Sequence, residues 1–325
     1  MRPFAYKAAS SILEATSDFG QNSGFIAGGT TLIDLMKLEV MTPSQLVDIN
    51  RLSMRGIELR SDDLRIGALE KMSDVAEHPE VVANYPVISQ ALLKSASAQL
   101  RNMASMGGNL LQRTRCGYFR DVSTPCNKRQ PRTGCPAIEG WNWTHAILGT
   151  SSSCVATHPS DLAVALVALD ASIFLQSRNS DRVLKLDDFY RVPGETAEKE
   201  NQLNPGELIT EIRVPRLPWS QRSIYLKIRD RESYEFALAS VAAALDVDGD
   251  HIRDARVAVG GAGTKPWNLP KVRDALIGKP LNQQTFETAA KFATEGAKPL
   301  RHNAFKVELV QRTIVRALMN LESLA

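Results

Sequence analysis

All four cysteines of the chain, Cys116, Cys126, Cys135 and Cys154, fall in one stretch with the spacing C-x9-C-x8-C-x18-C. Four soft thiolates are the ligand set of a metal or an iron–sulfur site. The residues around them are rich in Arg, Lys, Pro, Gly and Thr, as in Arg113-Thr114-Arg115-Cys116-Gly117-Tyr118-Phe119-Arg120 and Arg132-Thr133-Gly134-Cys135. Such a segment has too few apolar side chains for a core of its own, so a bound cluster is expected to order it. On spacing alone the alternatives stay open. Zinc sites usually show closely spaced Cys pairs, and none is present. Two disulfides suit small secreted domains, whereas 325 residues can bury a core without them. A [4Fe-4S] cluster tolerates long, irregular spacing once a fold gathers its ligands. Four unrelated buried thiols remain, because Cys often serves as a small core residue.

Six basic residues, Arg113, Arg115, Arg120, Lys128, Arg129 and Arg132, crowd the first three cysteines. They read either as a solvated basic loop or as cations that offset a thiolate-ligated cluster or face an acidic partner. Over the whole chain the net charge is only +3, which argues against nucleic acid as the main partner. The length suggests two domains, or one large and one small. No stretch approaches the roughly 20 apolar residues of a membrane span. The N-terminal Met1-Arg2-Pro3-Phe4-Ala5-Tyr6-Lys7 lacks the apolar run of a signal peptide, so the chain taken alone is expected in the cytoplasm.

The elements that must position these residues can be read from periodicity. Phe25-Ile26-Ala27 reads as a short strand broken by Gly28-Gly29. Thr30 or Thr31 can then cap a helix carrying Leu32, Leu35 and Met36 on one face, and Leu46 to Ile49 reads as the returning strand. A helix follows Pro86 and runs into a second glycine turn at Gly107-Gly108, just before the cysteines. Beyond them Ser160 can cap a helix with Leu162, Leu166 and Leu169 along one face. Ile173-Phe174-Leu175 and Ile209 to Val214 read as strands, and Pro215, Pro218 and Trp219 mark a boundary. Val241, Ala243, Leu245 and Val247 alternate, Asp248-Gly249-Asp250 turns, and a second alternating run follows, which is a β-hairpin. Residues from Asn303 to Ser323 form an amphipathic helix.

Glycine lets a backbone approach a ligand and leaves its N–H groups free, so two glycine turns could grip a pyrophosphate from two sides. Each is more often only a turn. Neither fits G-x-G-x-x-G or a P-loop. Asp161 could accept a sugar hydroxyl or be merely a helix N-terminal acid. Lys227 could set a cation near a flavin or a phosphate, or lie on an exposed strand of alternating charge. No G-x-S-x-G or H-E-x-x-H motif is present, and the five histidines are scattered.

In this order the motifs resemble the FAD-binding subunit of molybdenum hydroxylases, the xanthine dehydrogenase and aldehyde oxidoreductase family, nearly end to end. Phe25 to Leu32, with Ile26, Ala27, Gly28, Gly29, Thr30, Thr31 and Leu32 as contacts, looks like the first FAD loop. Ser105-Met106-Gly107-Gly108-Asn109 looks like the second, with Ser105, Gly107, Gly108 and Asn109 as contacts. Ser160-Asp161-Leu162 matches the family's S-D-L, whose Asp contacts FAD. Thr114, Ile209 and Lys227 fall at further cofactor positions. The segment from Gln112 to Cys135, with Cys154, looks like the insertion of periplasmic aldehyde oxidoreductases and of 4-hydroxybenzoyl-CoA reductase, where four cysteines bind an extra [4Fe-4S] cluster. The Tyr234 to Ser240 segment and Lys265-Pro266-Trp267 favour the aldehyde oxidoreductase type. Thr264 and Asn268 depart from the family, which often has His and Arg there.

The resemblance implies an α+β fold. A two-subdomain FAD-binding domain of the vanillyl-alcohol oxidase type would cover residues 1–216, with the iron–sulfur insertion at about 112–155. A smaller α+β domain with a three-stranded antiparallel sheet would cover 217–325. It further implies a heterotrimer. A large subunit with a molybdenum cofactor would oxidise an aldehyde, a small subunit with [2Fe-2S] clusters would relay electrons, and this chain's FAD would pass them to an external acceptor. No residue here need act as acid or base. Co-export to the periplasm with a signal-bearing partner is the expectation for location. The rival readings are the flavin subunit of a hydroxybenzoyl-CoA reductase or xanthine dehydrogenase type, a stand-alone flavoenzyme, and a zinc-stapled binding protein.

Overall fold

A computed structural model of the chain describes residues 1–323. It contains three sheets. The first is parallel, in the order β1 (Ala5–Ala8), β3 (Gln45–Asp48), β2 (Ser23–Ile26). β2 and β3 flank the helix Leu32–Lys37, so the strand–glycine–helix–strand reading holds. Thr31 occupies the cap position of that helix, but its side chain makes no capping bond. The second sheet is antiparallel, in the order β4 (Ile57–Leu59), β5 (Asp63–Gly67), β8 (Leu208–Pro215), β6 (Ser172–Gln176), β7 (Asp181–Lys185). The long excursion between β5 and β6 carries the second glycine pair, the cysteines and the helix Asp161–Ala168.

The third sheet is antiparallel: β12 (Trp267–Asn268), β11 (His251–Gly260), β10 (Ala239–Asp248), β9 (Ser223–Ile228). Three long strands form it as expected, and β12 adds two residues at one edge. The hairpin pairs Val241 with Val259 and Leu245 with Ala255. One face, with Val241, Ala243 and Leu245, packs on the helix Phe305–Glu322 through Val310, Ile314 and Leu318. On the other face Ala242 and Ala258 join the core built by the helices Pro86–Leu93 and Asp161–Ala168. Small side chains let helices close on that face.

The same closure corrects the expected one-sided helix after Ser160. Every residue from Asp161 to Ala168 is buried, because the third sheet packs on one side of it and the helices Pro86–Leu93, Met106–Leu110 and Leu186–Phe189 pack around the rest. Ser160 caps it as expected, accepting from the Ala163 N–H at 3.0 Å. Among the described residues no helix is long and apolar enough to cross a membrane.

Candidate functional site

A cavity of about 590 Å³ opens where the first glycine loop, the cysteine segment, the Asp161 helix, β9 and the β9–β10 loop meet. That volume suits a cofactor-sized ligand. Of the expected FAD contacts, Thr30, Thr31, Gly108, Asn109, Asp161 and Lys227 line it. Ile26, Ala27, Gly28, Gly29, Leu32, Ser105, Gly107, Thr114 and Ile209 lie outside the lining residues. Several of these serve the fold. A side chain on Gly28 would strike the Met103 carbonyl, and Gly29 adopts φ +70°. Ile209 is buried in the core, and the Thr114 hydroxyl donates to the Thr157 carbonyl at 3.0 Å.

The two glycine segments differ, which the sequence did not show. Among the described residues none accepts from the backbone N–H groups of residues 28–31, and of these four Thr30 and Thr31 line the cavity. The second segment is not a turn. Met106–Leu110 is a short helix capped by Ser105, and its first N–H groups already donate to Glu70 O, Ala68 O and Ser105 Oγ. It therefore offers the cavity side-chain and Cα surface rather than free donors. Asn109 is itself held, its Oδ1 accepting from Ser160 Oγ at 2.6 Å.

Asp161 and Lys227 were read as separate ligand contacts, 66 positions apart. They form one buried ion pair, 2.8 Å between Lys227 Nζ and Asp161 Oδ2. Asp161 also accepts from Tyr225 Oη at 2.6 Å and Ser95 Oγ at 2.9 Å. Three donors leave little acceptor capacity on the carboxylate for a ligand hydroxyl. Lys227 is 9% exposed, not on an open strand. Burial, then the Asp161 charge, raises the Tyr225 hydroxyl well above its ordinary range, so it stays a donor. Sequence reading missed Tyr225 and Ser95. Nothing in their local pattern marks them, although Tyr225 sits two positions from Lys227 and therefore on the same face of β9.

The second site is the cysteine segment. The four cysteines form no disulfide and line one small cavity with Tyr118, Phe119 and Lys128. Cys116 also lines the large cavity, so the two share a wall. Burial pushes the Cys116 thiol up to about 11. The Cys135 thiol donates to the Cys154 sulfur, which holds Cys154 below and Cys135 above the ordinary thiol range. Among the described residues no three His, Cys, Asp or Glu side chains converge as ligands of a single metal ion. His145, one of the scattered histidines, places Nε2 3.1 Å from Cys116 Sγ.

The expectation that this segment has no apolar core of its own and would be ordered by a cluster needs one correction. Phe119 packs against Leu35 and Cys126 in a small core. Arg129 donates to the carbonyls of Tyr118, Phe119 and Thr124, and the Asn127 side chain ties Gly134 to Ser153. Arg115 and Arg120 pair with Asp34 on the Leu32–Lys37 helix, at 3.3 and 2.7 Å. Arg113 and Lys128 pair with Glu200. Burial alone would raise Glu200, but Arg113 and Lys128 outweigh it and hold the carboxyl below its ordinary range. At least four of the six basic residues thus satisfy acids of this chain. The Arg115 Nε and His145 Nδ1 atoms are buried without a partner, and both residues line the large cavity. The free N–H groups and these two atoms fit a large polar cofactor there.

A family model described as the FAD binding domain in molybdopterin dehydrogenase matches residues 1–217. A second, described as the CO dehydrogenase flavoprotein C-terminal domain, matches residues 224–321. The aldehyde oxidoreductase FAD-binding subunit PaoB of Escherichia coli (strain K12) is 46% identical over 322 residues, 98% of each chain. The glyceraldehyde dehydrogenase medium chain of Sulfolobus acidocaldarius is 29% identical, covering 97% of this chain and 96% of that one. A solved Cu,Mo-CO dehydrogenase in its cyanide-inactivated form superposes with a TM-score of 0.78 over 100% of both chains at 22% identity, a likeness of fold. Thr264 and Asn268 bond within the chain, to Gly149 O at 3.1 Å and Asp187 Oδ2 at 3.4 Å. With family matches over both halves and a relative at nearly half identity end to end, the chain belongs to the FAD-binding medium subunits of molybdenum hydroxylases, oxidoreductase complexes.

Proposed function

We propose that this chain is the FAD- and [4Fe-4S]-carrying electron-transfer subunit of a molybdenum-dependent aldehyde oxidoreductase. The observation that carries the reading is the shared wall: Cys116 belongs to both the nucleotide cavity and the four-cysteine cavity. The end-to-end similarity to an aldehyde oxidoreductase FAD subunit supports the aldehyde class. When bound, FAD and the cluster would supply electron acceptance and release. The chain's own residues hold and shield them. The N–H groups of residues 28–31 would donate to the pyrophosphate, and Asp161–Lys227 fixes the cavity between β9 and the Asp161 helix. Cys116, Cys126, Cys135 and Cys154 would ligate the cluster, and Lys128 beside Cys154 favours its thiolate.

In this reading a molybdenum-cofactor large subunit and a [2Fe-2S] small subunit complete a heterotrimer and deliver electrons that leave through FAD to an external acceptor. The test is flavin, iron and sulfide analysis of the purified chain and of its four single Cys→Ser variants. Expected are FAD on release by heat, four irons and four sulfides per chain, and loss of iron in each variant. Recovery of FMN alone would sink the nucleotide assignment, and full iron in all four variants would falsify the cluster. The reading extends to location, as co-export of the folded complex on a partner's signal, because cofactors must be inserted before export. Cell fractionation with and without that partner decides it. A chain that stays cytoplasmic in both overturns co-export.

A further inference from the structure

Lys306, on the helix Phe305–Glu322, is 0% exposed. Among the described residues no carboxylate pairs with it. Its Nζ donates to the carbonyls of Gly261 at 2.6 Å and Thr144 at 3.1 Å. Both of these residues line the large cavity. These two carbonyls hold the ammonium directly behind the cavity wall. Lys227, Arg115, Arg120 and Arg231 also line the cavity, but each pairs with a carboxylate: Lys227 with Asp161, the first two arginines with Asp34, and Arg231 with Glu235. A buried ammonium bonded only to carbonyls has no counter-ion, so while protonated its charge acts on whatever lies nearby. Burial pushes the Lys306 ammonium down to about 7, the behaviour of a charge that lacks a counter-ion.

We infer that Lys306 is the charge-compensating residue of the nucleotide cavity, stabilising the negative charge that a bound flavin gains on reduction. The inference rests on the FAD reading above. Two electrons and one proton convert the oxidised flavin to its reduced anion. The electrons come from aldehyde oxidation on the partner subunit, and the ring proton comes from solvent. Lys306 forms no covalent bond and keeps its own proton. It is a positioning residue, because it acts through the Gly261 and Thr144 peptides without touching the ligand.

The test is a dithionite titration of the flavin in the full FAD-loaded chain at pH 6, against a reference dye. Wild type is compared with Lys306→Met and with Lys306→Gln, which retains an N–H donor for the carbonyls. Flavin content is measured first. Expected is unchanged flavin stoichiometry with the reduction equilibrium about tenfold less favourable, which is about 30 mV for a two-electron couple. Flavin-loaded variants with an unchanged potential overturn this inference alone. A wild-type chain that holds no flavin overturns it together with the reading of the cavity. If Lys306→Met does not fold, Lys306→Gln decides the matter.

Discussion

The Asp161–Lys227 pair joins the two halves of the chain, and breaking it should be costly. The side chains are 7% and 1% exposed, so water cannot replace a lost partner. Removing one member of a buried pair costs about 3–5 kcal/mol, mostly from the charge left behind. The two halves of the pair are not equivalent. In Lys227→Met the carboxylate keeps its bonds from Tyr225 and Ser95, which places the loss near the low end. In Asp161→Asn the Lys227 ammonium keeps only the Lys94 carbonyl at 3.1 Å as a full acceptor, which places it near the high end. An unfolding entropy of about 2.1 cal/mol/K per residue over 325 residues makes 1 kcal/mol worth about 1.5 °C. Thermal melts of the cofactor-free chain should therefore fall by about 4 °C for Lys227→Met and about 7 °C for Asp161→Asn. The double variant should lose less than the sum, because removing the second charge relieves the first. Melts within about 1 °C of wild type, or strict additivity, would show that the pair does not hold the halves together.

Gly28→Ala should destabilise the chain by about 3 kcal/mol through collision with the Met103 carbonyl, and Gly29→Ala by about 1 kcal/mol through its φ of +70°. Chemical denaturation ranks them, and equal effects would contradict the geometry. The Arg120 guanidinium holds the Asp34 carboxyl below its ordinary range. A depressed carboxyl stabilises above its unfolded value of about 3.9 and loses that contribution as the pH falls through the folded one. Asp34→Asn should thus cost at most about 1 kcal/mol at pH 7, and its melt should converge on wild type in acid. Convergence in alkali instead would reverse the sign. Glu200→Gln should leave Arg113 and Lys128 without their acid and speed tryptic cleavage of the cysteine segment severalfold, read by mass spectrometry. An unchanged cleavage rate would mean that Glu200 does not anchor that segment.

The sequence by itself determined the order of elements, the Ser160 cap, the hairpin and the four-cysteine segment, because these depend on local periodicity, turn residues and ligand type. It also carried the family motifs. Only tertiary structure decided what each motif does. Gly28-Gly29 leaves its N–H groups free, whereas Gly107-Gly108 spends them on Ala68 and Ser105, a difference set by which chain packs alongside. The basic segment reads as solvated until Asp34 and Glu200 arrive from 81 and 87 positions away to pair with Arg115 and Arg113. Asp161 finds Lys227, and Lys306 reaches the cavity wall, through contacts between distant segments. Local pattern records which face of an element is apolar. It does not record which buried polar group will meet which, since that is fixed only when helices and sheets close on one another and exclude water.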